Sequence, residues 1–289
     1  MEWDPTQFFR EDEDIQPHPF ALVVLNQPIN EVALGVLRKH AQLTVCADGG
    51  ANRFFDYAKS HGEESVDLPT AIIGDLDSIN PEVRSHYADL GVTIIQDKDE
   101  YSTDFTKSLR FIQQIKGDGL SILVLGGLGG RVDQAFSQIH HLYLISEERK
   151  KSQTQNESQG EAENKGGGKK GNLYLISEES ITFILSPGVN TIHTPRTNRP
   201  LTPSSPSPSI PPSQPSQPYL LEENIGIIPL SGPASITTTG FQWDVQDWET
   251  QIGGQISTSN HIRAEIVSVE SKVPVLFTVE LAGRLKRVR

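Results

Sequence analysis

The sequence predicts an α/β domain with a mainly parallel open sheet, followed by an all-β sandwich. Three observations carry this prediction. Short, continuously apolar runs alternate with amphipathic stretches over residues 20–145. In the second half, brief β-branched runs follow one another between Gly, Pro and Asn, with no helical pattern among them. Two polar tracts, 149–171 and 195–218, fit neither pattern and mark interruptions.

In the first region the strand candidates are FALVVLN (20–26), LTVCA (43–47), TAIIG (70–74), VTIIQ (92–96) and LSILVLG (120–126). Being apolar throughout, they suit a parallel sheet covered on both faces. Helices are predicted over 30–40, 50–60, 81–90 and 103–116. In the last of these Phe105, Leu109, Ile112 and Ile115 recur at helical spacing. Asn30, Asn80 and Thr103 stand where N-caps are needed, and Pro81 suits a first helical position. In such an open sheet, ligands are expected beyond the carboxyl ends of the strands. The later strand candidates are TFILSPGVNTI, IGIIPLSG, ASITTTG, FQWDV, GGQISTSNHI, EIVSVE and PVLFTVEL, which suggest a β-sandwich or barrel of roughly 100 residues.

Residues 149–171 are rich in Lys, Gln, Glu and Gly, and residues 195–218 hold nine prolines among Ser, Thr and Gln. Neither tract offers enough apolar surface to offset the entropy of ordering, so both are expected to be disordered. The resulting division is an acidic tail (1–19), an α/β domain (20–148), an insert (149–171) and a β-domain (172–289) carrying the Pro-rich loop 195–218. The heptapeptide LYLISEE occurs at 142–148 and again at 173–179. Two copies do not make a solenoid; a local duplication, or non-coding sequence retained and translated, accounts for them, with only one copy in the ancestral position.

Net charge is −12, unevenly spread: residues 1–14 carry −5, 149–171 carry +3 and 284–289 carry +4, which leaves −14 on the rest. An acidic body argues against nucleic acid, which needs clustered Lys and Arg, and suits metal ions or a cationic small molecule. The single cysteine, Cys46, excludes an internal disulfide and any Cys-based zinc site. No apolar run approaches the ~18 residues of a membrane span, and the start MEWDPTQFFREDED is too acidic for a targeting segment. A cytoplasmic protein is expected.

Carboxylates recur where the predicted strands end. Asp48 follows the second strand, Asp75 and Asp77 the third (GDLDS), Asp97 and Asp99 the fourth, and Asp104 opens the next helix. Acids converging on one crevice repel one another unless a hard cation lies between them, and Mg²⁺ prefers carboxylates together with substrate phosphates. In extended chain Asp75 and Asp77 point the same way; Gly-Asp-x-Asp-Ser is also ordinary turn chemistry. The segment GGLGGRVDQ (126–134) is a Gly-rich turn into a helix whose N–H groups, including those at Gly129 and Gly130, could hold a phosphate. Arg131 could add a charged contact and Asp133 could orient it; the alternative is a plain tight turn. Lys107 is either a phosphate ligand or part of a solvated helix face. His140 and His141, about 100° apart on a helix, read as structural. Trp243 alone reads as core, and STSN (257–260) alone as a loop.

Taken in order, ADGGAN, GDLDS, STDFTKS, GGLGGRVDQ, SEESITFIL, TTTGFQWDV and GGQISTSN resemble the thiamine pyrophosphokinase family, which transfers pyrophosphate from ATP to thiamine. The resemblance covers about residues 20–145 and 172–281. It implies an α/β domain followed by a β-sandwich, and a homodimer with active sites at the subunit interface. It implies Mg²⁺ on Asp75, Asp77 and Asp104, with Asp48 near the reacting groups as the candidate base. Gly129, Gly130, Arg131, Asp133 and Lys107 would meet the nucleotide, while Trp243, Ser257 and Asn260 would meet thiamine. An indole face suits a thiazolium cation. The stretch DKDEYS before Thr103 is longer than the family's usual spacing. A non-catalytic thiamine or nucleotide sensor and a metal-dependent phosphohydrolase are the rival expectations.

Overall fold

The computed structural model describes residues 1–11, 17–158, 171–200 and 218–287. The chain opens with β1 (Glu2–Trp3) and a 3₁₀ turn (Pro5–Phe9). It then alternates β2 (Phe20–Val24), α1 (Glu31–Leu37), β3 (Leu43–Ala47), α2 (Gly50–Ser60), β4 (Ala71–Gly74) and α3 (Pro81–Asp89). The alternation continues through β5 (Thr93–Gln96), α4 (Asp104–Lys116), β6 (Ser121–Leu125), α5 (Val132–Ser158) and β7 (Leu173–Ile176). Strands alone follow: β8 (Ser180–Leu185), β9 (Gly188–His193), β10 (Thr197–Asn198), β11 (Leu221–Ile228) and β12 (Ala234–Thr239). The last are β13 (Trp248–Thr250), β14 (Ser257–His261), β15 (Ile266–Ser271) and β16 (Val275–Leu281). Two compact units result, one of Glu11–Glu179 with Arg287–Arg289, the other of Met1–Arg10 with Ser180–Lys286.

In the α/β unit every strand pairing is parallel, in the order β7-β6-β2-β3-β4-β5. All five predicted strands and all four predicted helices form within a few residues of their expected bounds. β2 is buried along its whole length, as a central parallel strand covered on both faces must be. Because β2 pairs with β3 on one side and β6 on the other, the strand order reverses there, and a crevice opens beyond the carboxyl ends. Asn30 and Thr103 cap α1 and α4 through Ala33 N–H at 3.0 Å and Thr106 N–H at 3.2 Å. The Asn80 side chain makes no such bond. Along α4 the buried face runs through Phe105, Lys107, Ser108 and Ile112, whereas Ile115 is exposed.

The β unit is a sandwich of two sheets. One has the order β1-β9-β15-β12-β13; the other contains β10-β11-β16-β8, with β14 on β11. Trp3 of the first sheet stacks on Phe183 of the second at 4.8 Å, and Phe183 meets Phe277 at 5.4 Å.

Several boundaries differ from expectation. Residues 1–10 are no tail: β1 pairs in parallel with β9, and Trp3, Phe8 and Phe9 are buried. The Trp3 indole N–H donates to Asn190 Oδ1 at 2.9 Å, while Asp4 caps the 3₁₀ turn and binds Arg10 at 2.7 Å. Three buried aromatics outweigh the local acidity. Residues 149–158, predicted disordered, continue α5 as helix, and 159–170 lie outside the described residues. β7 belongs to the α/β sheet, paired with β6, not to the β-domain. Of the Pro-rich tract, residues 195–200 and 218 are described and include β10; 201–217 lie outside. FQWDV is a turn, not a strand. Asp244 accepts from the N–H groups of Gly240 (2.9 Å) and Phe241 (3.1 Å), leaving a single bridge from Phe241 to Ile262.

The repeated heptapeptide adopts two conformations. At 142–148 it is helical within α5, with Leu142 buried and Leu144 exposed; at 173–176 it is β7, with all four residues buried. Equivalent positions should therefore respond unequally. Leu175→Ala is expected to cost about 2–5 kcal/mol, as for a buried leucine, and Leu144→Ala within about 0.5 kcal/mol of neutral, as for a surface site. Urea unfolding of the two variants measures the contrast.

Candidate active site

Three elements of the α/β unit carry carboxylates to one point. Asp48 follows β3 in a left-handed conformation (φ 42°), uncommon for a residue with a side chain. Its own N–H donates to Ile73 O at 2.9 Å. Asp75 follows Gly74 at the end of β4, and Asp104 is the first residue of α4. Gly74 has no substitute here, since a Cβ would lie 2.6 Å from Asp48 Cβ and 3.0 Å from Asp104 Oδ1. One oxygen from each of Asp48, Asp75 and Asp104 lies within 4.8 Å of the others. An all-oxygen, all-carboxylate set fits a hard divalent cation such as Mg²⁺.

Asp77 stands outside this trio. Leu76 is left-handed (φ 66°), so the strand alternation that would align Asp75 with Asp77 is broken between them. Asp77 instead accepts from Ser78 Oγ at 2.7 Å, and its N–H donates to Asp75 Oδ1 at 3.2 Å.

Asp48 is buried, and its two oxygens accept from Ser78 N–H (3.0 Å) and Ile79 N–H (3.1 Å). Burial pushes its carboxyl up to about 6; the charges of Asp104 and Asp75 push the same way, against the two N–H groups. Lys107 is buried, not on a solvated face, and its Nζ lies 3.1 Å from Asp104 Oδ1. Burial pulls its ammonium down, but Asp104, Asp75 and Asp97 together hold it above the ordinary lysine range.

Asp75 and Asp104 of the trio line a cleft of about 550 Å³ at the sheet's switch point. Asn26 and Gln27 line it after β2, residues 99–105 after β5, and Arg131, Gln134, Ser137 and Gln138 around the start of α5. Lys107 also lines it. In the Gly-rich turn Leu128 is left-handed (φ 59°) and its N–H donates to Gln138 Oε1 at 2.7 Å. A side chain at Gly130 (φ 68°) would lie 2.3 Å from Gln27 Oε1; at Gly129 there is open space. Arg131 faces the cleft, paired through two bonds with Asp133 (2.6 and 3.1 Å), both exposed. Sequence reasoning missed Asn26, Gln27, Ser137 and Gln138. The two amides follow the strand at which the order reverses, and the strand order is the signal that singles them out.

The β unit holds a second set. Trp243 is 54% exposed, not core, while Asn260 beneath it is buried. Asn260 clamps the Trp243 backbone from both sides, Oδ1 accepting its N–H at 3.2 Å and Nδ2 donating to its carbonyl at 3.0 Å. His261 lies 5.1 Å from the indole ring, and Ser257 opens β14. The clamp required no motif to form, only an asparagine opposite a turn.

Two family profiles match the chain: "Thiamin pyrophosphokinase, catalytic domain" over residues 34–154, and "Thiamin pyrophosphokinase, vitamin B1 binding domain" over 210–276. The first falls in the α/β unit and the second in the β unit. Thiamine pyrophosphokinase 1 of Oryza sativa subsp. japonica is 32% identical over 299 residues, spanning 96% of each chain. The chain belongs to the thiamine pyrophosphokinase family. The Arabidopsis thaliana thiamine pyrophosphokinase 1 is 30% identical, over 93% of this chain and 89% of its own. Among solved structures, thiamin pyrophosphokinase from Candida albicans has a TM-score of 0.74 at 26% identity, covering 97% of this chain and 92% of its own. The yeast thiamin pyrophosphokinase structure has a TM-score of 0.72 at 24% identity, with 97% and 90% covered, and shares the fold. Members of the thiamine pyrophosphokinase family thus share both halves of the architecture seen here. Among the described residues no helix is long and apolar enough to cross a membrane.

The environment of Asp48 has a measurable consequence. Well below the ordinary aspartate range its carboxyl is protonated in folded and unfolded chains alike. From there up to about 6, the unfolded chain ionises while the folded protein, where the charge would be buried, keeps its proton, so the contribution to stability declines across that window. The unfolding free energy of the wild type relative to Asp48→Asn, both without divalent ions, is expected to fall between pH 4 and pH 6.5. A difference that stays flat over this range contradicts the assignment.

Proposed function

We propose that this chain transfers the pyrophosphoryl group of ATP to the hydroxyl of thiamine, giving thiamine diphosphate and AMP. The observation that supports it best is the carboxylate trio at a switch-point cleft, in a chain whose other unit matches a vitamin B1 binding profile. In this reading Asp48, Asp75 and Asp104 hold Mg²⁺, which supplies positive charge to polyphosphate oxygens when bound. Asp48 is assigned to the cation because one of its oxygens lies within 4.8 Å of an oxygen of Asp75 and of Asp104. Asp77 keeps the following turn in place through Ser78. Lys107 fixes Asp104 and presents its ammonium to the cleft.

The remaining work is positioning and charge stabilisation, as in phosphoryl transfer generally. The Gly-rich turn at 126–130 lets phosphate approach main-chain N–H groups. Arg131, released from Asp133, meets negative charge developing between the β-phosphate and the departing AMP. Trp243 offers its exposed indole face to the thiazolium ring, with Asn260 setting its backbone and Ser257 at the rim. A homodimer and a cytoplasmic location complete the reading. Hydrolysis with water as acceptor would use the same acids but leaves the exposed Trp243 without a role.

Purified protein supplied with MgATP and thiamine is expected to form AMP and thiamine diphosphate in equal amounts. Phosphate release that does not depend on thiamine would instead establish the hydrolase. Asp75→Asn and Asp104→Asn should each lower turnover by about 10²–10³, the scale of removing one charge-stabilising group. Wild-type turnover in both, with an unchanged circular dichroism spectrum, would remove the trio from the mechanism.

A further inference from the structure

We propose that His141 is a positioning residue that holds Asp104 in the carboxylate trio; the proposal rests on the reading of that trio as a divalent-cation site. His141 lies on α5, outside the cleft lining, and touches α4 where Asp104 begins it. Its Nδ1 lies 2.9 Å from Ser137 O and its Nε2 lies 2.9 Å from Thr106 Oγ1. The Thr106 hydroxyl lies 2.9 Å from Thr103 Oγ1, which in turn accepts from Thr106 N–H at 3.2 Å.

These contacts fix the direction of every proton. A carbonyl oxygen only accepts, so Nδ1 carries the hydrogen and Nε2 is left as an acceptor. The Thr106 hydroxyl therefore donates to Nε2 and accepts from the Thr103 hydroxyl, whose remaining lone pair takes Thr106 N–H. Burial, with His140 and Arg110 nearby, keeps the imidazole below the usual histidine range despite the Ser137 carbonyl, which favours the neutral ring this chain of bonds requires.

The relay ends on the cap residue of α4, one position before Asp104. The His141 ring also packs on Phe105 at 5.0 Å, and Phe105 is buried. Thus the residues flanking Asp104, together with Thr106, are set by one imidazole on the neighbouring helix. A small rotation of α4 about its axis would swing Asp104 away from Asp48 and Asp75. Outer partners of this kind orient metal-ligating groups elsewhere, and their loss typically weakens metal binding 10–100-fold.

The test titrates Mn²⁺ into the full-length protein without nucleotide, read by electron paramagnetic resonance, and separately measures the Mg²⁺ dependence of turnover. Thr106→Val keeps the branched shape and removes the hydroxyl; His141→Ala removes the ring; Thr106→Ser restores the hydroxyl. Both disruptive variants should bind Mn²⁺ about tenfold more weakly and need correspondingly more Mg²⁺ for half-maximal turnover. KM for thiamine should be unchanged, and Thr106→Ser should match the wild type. Wild-type Mn²⁺ affinity in Thr106→Val and His141→Ala would overturn the proposal, as would a loss that Thr106→Ser shares. If Asp104→Asn itself leaves Mn²⁺ binding unchanged, the cation reading fails first and this inference falls with it.

Discussion

Mutual repulsion among three carboxylates is the constraint around which the α/β unit is arranged. Oxygens of Asp48, Asp75 and Asp104 lie within 4.8 Å of one another, and the charges of Asp104 and Asp75 add to burial in pushing the Asp48 carboxyl up. Each neighbouring feature either tolerates that repulsion or offsets it. Gly74 removes the side chain that would wedge the acids apart. The N–H groups of Ser78 and Ile79 hold the Asp48 oxygens, and Lys107 is buried against Asp104. Asp48 itself retains its proton to a higher pH than an ordinary aspartate. These partners reduce the repulsion without removing it, and a divalent cation of the kind proposed above would relieve what is left.

The acids were readable because parallel sheets place loops at the carboxyl ends of their strands, and Asp48, Asp75 and Asp104 each follow or open an element with a clear pattern. The departure of Asp77 from the direction of Asp75 has a local cause. Strand alternation holds only while the chain is extended, and the positive φ of Leu76 sends the next side chain elsewhere. Lys107 was ambiguous for a different reason. Its burial depends on α4 turning a polar stretch toward the cleft, and helical periodicity reports only where apolar residues lie. Asn26, Gln27 and Gln138 carry no pattern at all; they matter because β2 and β6 are neighbours, a fact of topology.

Two tryptophans in the β unit illustrate the same division. Trp3 is buried, stacked on Phe183, with its indole N–H given to Asn190. Trp243 is exposed, and the asparagine beside it bonds to its backbone, not its ring. Satisfying the indole nitrogen serves burial of the ring. Fixing the backbone while leaving the ring in solvent forgoes hydrophobic stabilisation and leaves an aromatic surface exposed. Sequence alone reads Trp243 as core, since it sits in an apparent strand.

The two copies of the heptapeptide LYLISEE have identical local propensities and opposite conformations. At 142–148 the residues before it, from Val132 onward, have already nucleated a helix, and extending a helix costs far less than starting one. At 173–176 the partner is the exposed side of β6, and four successive apolar side chains all find cover once the strand is added. In the helix the same residues bury Leu142 while Leu144 faces solvent. Each copy therefore takes the form that its surroundings make cheaper. The domain boundary moves to residue 179 for the same reason: the second copy completes a parallel sheet before the chain enters the sandwich.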